Sequence, residues 1–167
     1  MKTLISILLL AFVSFGLKAQ LLAAPPAELK TPDGISISSD AILTPGASVM
    51  LVFWKSTSNQ CCENLESLQS AWLDSLENKG VKMIAICVDC SGSWSHVKPM
   101  IMGRNWSFDT YIDVNGDFKR ALGVNALPCT ILYDENLHQL CRQNGFCPGS
   151  GELICEKIIS HLDDNKK

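Results

Sequence analysis

The stretch Val49-Met50-Leu51-Val52-Phe53-Trp54-Lys55-Ser56-Thr57-Ser58-Asn59-Gln60-Cys61-Cys62 changes its hydrophobic period halfway along. Val49 to Trp54 is a continuous apolar run after Pro45-Gly46, which suits a strand buried on both faces and so implies a parallel sheet. From Asn59 onward Leu65, Leu68, Trp72 and Leu76 recur at helical spacing, Glu63, Glu66, Asp74 and Glu77 lie off that stripe, and Gly80 supplies the stop. Val81 to Val88 is again mostly apolar, so residues 49–88 are predicted to form a βαβ unit with a right-handed crossover. At the junction stands Ser58, a preferred helix N-cap, with Cys61 one turn in and Cys62 beside it.

Outward from this unit, residues 20–34 carry Pro25-Pro26 and Thr31-Pro32-Asp33-Gly34 and read as an exposed lead-in and turn. Ile35 and Ile37 alternate with serines as in a short edge strand. A helix is predicted over Ser95 to Met102, weakened by Pro99, then a short strand at Tyr111-Ile112 and a short helix from Asp117 to Leu122. Thr130 to Tyr133 and Leu137 to Gln143, joined through Asp134-Glu135-Asn136, read as an antiparallel hairpin, and Glu152 to Leu162 as a closing helix. The fold class is α/β.

At 167 residues the chain is one domain's worth of sequence, long enough to bury a core without staples. Lys2, the apolar run Leu4 to Leu17 and then Lys18-Ala19-Gln20 form a secretory signal pattern, with residues 1–19 removed and no stable membrane insertion afterwards. The expected organisation is that signal, a lead-in over 20–34, one domain over 35–163 and a charged tail over 164–167, in a product that is secreted, or periplasmic in a Gram-negative cell. Loss of Lys2 and Lys18 takes the formal charge from −3 to −5, and the remaining Lys and Arg are scattered, which argues against nucleic acid as a partner. All eight cysteines survive cleavage into a potentially oxidising compartment, where 105 pairings are open to them.

The order of elements, with Phe53-Trp54 before the junction, Gly80 to Ile86 leading to Asp89, and Gly123-Val124-Asn125-Ala126-Leu127-Pro128 before Thr130 to Asp134, resembles the thioredoxin fold. More specifically it is similar, from about Gly34 to His161, to the exported TlpA/ResA-like thiol-disulfide oxidoreductases, relatives of the redoxin and AhpC/TSA proteins. The resemblance implies a three-layer fold whose central mixed sheet holds the parallel βαβ unit and a C-terminal antiparallel hairpin plus helix. It further implies a cis bond before Pro128, a substrate groove at Trp54, Leu127, Pro128 and Cys129, and protein thiols, disulfides or a redox partner protein as partners, without cofactor or metal. Typical members carry Trp-Cys-x-x-Cys where this chain has Thr57 to Cys61, and the first of those cysteines is the attacking thiolate. Here that position is Ser58, whose hydroxyl forms no mixed disulfide.

Three readings follow. In the first, Cys61, with Cys62 or Cys129, replaces the usual pair in a thiol-disulfide oxidoreductase, and Ser58 completes the site. A Cys61–Cys62 bond would be strained, because adjacent Cα atoms stand only about 3.8 Å apart. In the second, Ser58-Asn59-Gln60-Cys61 matches the Thr/Ser-x-x-Cys motif of peroxiredoxins, with Trp54 where a proline is expected and Arg104, Arg120 and Arg142 as open candidates for a helper. In the third, the module has lost turnover and binds a partner chain. Cys129 is read either as a partner sulfur or as the start of a buried strand. Cys87 with Cys90, and Cys141 with Cys147, are candidates for structural disulfides, Cys155 for the core; His96, His138 and His161 stand alone as surface residues.

Overall fold

The computed structural model describes residues 26–89 and 94–164. Its strands form one sheet of β1 (Glu28–Lys30), β2 (Ser36–Ser38), β3 (Val49–Trp54), β4 (Lys82–Cys87), β5 (Asp109–Ile112), β6 (Cys129–Tyr133) and β7 (Gln139–Asn144), in the order β2-β1-β5-β4-β3-β6-β7. The helices are α1 (Ser39–Ile42), α2 (Asn59–Ser75), α3 (Val97–Gly103), α4 (Asp117–Ala121) and α5 (Ser150–Asp164), with 3₁₀ turns at Glu77–Lys79 and Trp94–His96. β3 pairs parallel with β4 from Val49↔Lys82 to Trp54↔Cys87, and β4 parallel with β5. β6 then joins β3 antiparallel, from Val49↔Tyr133 to Phe53↔Cys129, and β7 joins β6 as a hairpin. This mixed sheet, with its helix-connected parallel centre and antiparallel end, is the thioredoxin-like fold that the sequence predicts.

Side-chain alternation along β3 splits the core in two. Met50, Val52 and Trp54 point to one face, where they meet Cys61, Leu65, Leu68 and Trp72 of α2 together with Ile154, Cys155 and Ile158 of α5. Val49, Leu51 and Phe53 point to the other, where Leu29, Ile84, Ile86, Phe118, Ile131 and Tyr133 enclose them. The predicted stripe of α2 is buried throughout, and Gly80 ends the unit in the left-handed conformation at φ 76°. Pro99 sits in the first turn of α3, where its missing N–H would have had no helical partner, so the helix forms around it.

The lead-in is not wholly exposed: β1 lies inside residues 20–34, pairs with β2 and reaches β5 at Lys30↔Ile112, and its Leu29 is fully buried. A three-residue strand with one apolar side chain has no period to read. α1 was likewise absent from the sequence reading. The signal segment and the end of the charged tail lie outside the described residues, and no helix among those described is long and apolar enough to cross a membrane.

Candidate functional site

β3 delivers the chain to a short loop at Lys55–Thr57, and Ser58, in extended conformation, opens α2. Its Oγ accepts the Cys61 amide at 3.3 Å, and its carbonyl accepts the Cys62 amide at 3.2 Å. The Ser58 hydroxyl thus takes the role of N-cap and stands one turn from the Cys61 sulfur, at the positive end of a 17-residue helix. Both cysteines are buried, Cys61 completely, on the α2 face of the sheet with Trp54 and Cys87.

Cys62 has charged neighbours. Burial pushes its thiol up, the Arg104 guanidinium works the other way, and Cys61, Glu66 and Asp89 add to the rise. Arg104 forms an ion pair with Glu66 and stands 5.7 Å from the ring centroid of Trp106. Trp106 meets Trp54 edge-on at 5.2 Å and stacks on Phe108 at 5.4 Å. Arg104 is therefore the arginine beside these sulfurs. Arg120 pairs with Asp117, and Arg142 donates to the carbonyls of Leu122 and Gly123.

The Leu127-Pro128 bond is cis. The carbonyl of Pro128 accepts the Gly145 amide at 2.7 Å, which ties this loop to the exit of β7. Leu127 is half-buried and touches both core clusters, while Pro128 is buried. Trp54, read from sequence as part of the groove, is completely buried instead, because strand parity turns its ring under α2.

The structure does not bring Cys129 to Cys61. Opposite Phe53 in the register, Cys129 shares that residue's face and lies in the second cluster, across the sheet from α2. Burial pushes its thiol up, partly offset by Arg142. Of its two sequence readings, the start of a buried strand describes its position.

Cys87 ends β4 beside Trp54, and burial in contact with Asp89 holds its thiol up at about 12; its proposed partner Cys90 lies outside the described residues. Cys141 is half-buried on β7 with the Lys157 ammonium 3.8 Å from its sulfur, and Cys147 is exposed in the turn before α5; the two are not bonded to each other. Cys155 is core, its thiol raised to about 11 by burial and by Glu152. Among the described residues no His, Cys, Asp and Glu side chains converge in threes as metal ligands. His138 is not isolated: it is bonded to Asp134 at 2.9 Å.

Sequence reasoning passed over Ser56 and underused Asp89. Asp89 is fully buried, and its carboxylate accepts both the amide and the hydroxyl of Ser56, two residues before the N-cap. An aspartate two residues beyond a mostly apolar strand was the available signal.

Known proteins share this architecture. An uncharacterized thioredoxin-like protein from Porphyromonas gingivalis superposes with a TM-score of 0.68 at 28% identity, covering 80% of this chain and 88% of that one. StoA from Bacillus subtilis gives 0.62 at 21% identity, covering 80% and 96%. A secreted Mycobacterium tuberculosis disulfide oxidoreductase homologous to E. coli DsbE gives 0.63 at 18%, covering 80% and 94%. No curated protein sequence matches significantly. The model of the AhpC/TSA family matches residues 22–138, most of the chain, and the protein belongs to that family.

Proposed function

We propose that the chain is an exported thioredoxin-like redox protein that exchanges disulfides with protein thiols, using Cys61 as its reactive sulfur. The observation that carries this is the Ser58 hydroxyl on the Cys61 amide at the start of α2, on the fold shared with the secreted disulfide oxidoreductase named above. The start of a helix favours negative charge, which suits a position where charge develops on sulfur during exchange. In the exchange, the Cys61 thiolate attacks one sulfur of a disulfide. A new S–S bond joins Cys61 to that sulfur, the old bond breaks, and the other sulfur leaves as a thiolate that takes up a proton. A thiolate of the partner protein then attacks the mixed disulfide and releases Cys61. Neither Ser58 nor Cys129 supplies that second sulfur: one has none, and the other lies across the sheet.

The test is Cys61→Ala in a disulfide-exchange assay with a dithiol protein substrate. Loss of exchange is expected; exchange at the wild-type rate overturns the reading. A chain that captures partners equally well under reducing conditions and without Cys61 is a binding module instead.

One observation favours a second reading, a thiol peroxidase. Cys61 is completely buried, and a small oxidant reaches such a sulfur more easily than a folded protein's disulfide does. The thiolate would attack one oxygen of a peroxide, breaking the O–O bond to leave sulfenic acid on Cys61 and release water or an alcohol. Stoichiometric peroxide followed by mass spectrometry decides it: no sulfenic acid or derived disulfide at Cys61 ends this reading.

A further inference from the structure

We propose that Asp89 is the positioning residue of the site, tying the loop that carries Ser58 to the end of β4 and thereby selecting which sulfur reacts. The proposal rests on Cys61 being the reactive sulfur. Asp89 lies two residues beyond β4, fully buried, and among the described residues no Lys or Arg forms an ion pair with it. A buried carboxylate needs hydrogen bonds in place of its water. Asp89 takes them from the site loop: Oδ1 accepts the Ser56 amide at 3.1 Å, and Oδ2 accepts the Ser56 hydroxyl. The main chain adds a parallel tie, Val88 N–H to the Trp54 carbonyl at 2.9 Å. Both ends of Lys55–Ser56 are thus fixed to the same strand end, and Ser58 is held where its hydroxyl meets the Cys61 amide.

The same carboxylate acts on the neighbouring sulfurs. It touches Cys87, and among the described residues the charged or titratable groups facing Cys62 are Arg104, Cys61, Glu66 and Asp89 itself. A negative charge opposes a second one nearby, so the Asp89 carboxylate disfavours the Cys62 thiolate, while at Cys87 the carboxylate raises the thiol and the Asp89 amide lowers it. Cys61 keeps the helix start and the Ser58 cap. The tether and the charge therefore work in the same direction.

The experiment is timed labelling of the reduced full chain with methyl methanethiosulfonate between pH 5 and 10, with Cys61 and Cys62 quantified separately by mass spectrometry. Asp89→Asn keeps the side-chain volume and an acceptor for the Ser56 amide but removes the charge. It is expected to move the Cys62 profile to lower pH and to cut the Cys61-to-Cys62 labelling ratio at neutral pH at least fivefold. Ser56→Ala removes the hydroxyl arm alone and is expected to change the Cys61 rate at least threefold while leaving the Cys62 profile in place. A folded Asp89→Asn chain with the wild-type ratio and profile overturns the proposal. So does an unaltered Cys61 rate in Ser56→Ala, which decides the matter if Asp89→Asn does not fold. A wild-type chain in which Cys61 never labels defeats the redox reading, and the Cys62 profile then tests the charge of Asp89 separately.

Discussion

The two faces of the sheet are built from the same strands but differ in kind. One carries Cys61, Cys62, Cys87 and Cys155, two tryptophans whose indole N–H groups lack a hydrogen-bond partner, and Asn64, buried with both amide atoms unpaired. The other is mainly aliphatic and aromatic, with Phe53 against Phe118 at 5.6 Å, Cys129 as its sulfur and the Tyr133 hydroxyl as its unpaired polar group. Buried polar groups without partners each cost about 1–3 kcal/mol, so a face that keeps several is less well optimised for packing than its opposite. On the proposed reading the chemistry belongs to the first face, and single substitutions can test whether the second face contributes to stability alone.

The largest effect is expected from Phe118→Ala. Phe118 is fully buried across the sheet from the site helix, and its loss should destabilise by about 3–5 kcal/mol in urea unfolding. Cys61 labelling in the folded fraction should stay unchanged; a changed rate would break the division. Gly151→Ala comes next. A β-carbon there would meet the Ser67 Oγ at 2.9 Å and the Ser67 carbonyl oxygen at 3.0 Å, so α2 and α5 must part, at a cost of about 1–3 kcal/mol. Because α2 carries the site, this variant should lose stability and alter Cys61 labelling together, and loss of stability alone would count against the coupling. Ser58→Ala should cost about 1 kcal/mol in urea unfolding as a lost cap and also change the Cys61 labelling rate of the folded chain; an unchanged rate would separate the cap from the sulfur.

The smallest effect lies at the hairpin turn between β6 and β7, beside the second cluster. Burial alone would push the Asp134 carboxyl up, but the amides of His138 and Asn136 and the His138 ring hold it below the usual carboxylate range. Its folded value lies below its unfolded one, so its contribution is complete above the ordinary carboxylate range and is lost as pH falls through the depressed value. The stability difference between wild type and Asp134→Asn, measured by urea unfolding at successive pH values, should therefore shrink towards acid.

The sequence was most legible where burial follows a simple period. The stripe of α2, the apolar runs of β3 and β4 and the hairpin were all visible, because each is long enough to display its spacing. β1 was not, since three residues cannot display one, and it is held by pairing with β2 and β5. Cys129 shows a different limit. Its face depends on the antiparallel register that sets it opposite Phe53, and a shift by one residue would have turned its sulfur toward α2. The place of Ser58 and Cys61 at a helix start was readable because it is local. The Asp89 link was not, because it joins residues 33 apart.

The contact at Gly151 has a mechanical consequence. With no room for even a methyl group between it and Ser67, the two helices are in backbone-to-backbone contact, without the slack that side chains usually provide. A shift of the first turn of the last helix therefore meets the backbone of α2 directly at Ser67, and Gly151→Ala tests whether the helix start at Ser58 feels it. The last helix is seated on the middle of α2, so the placement of one is tied to the placement of the other.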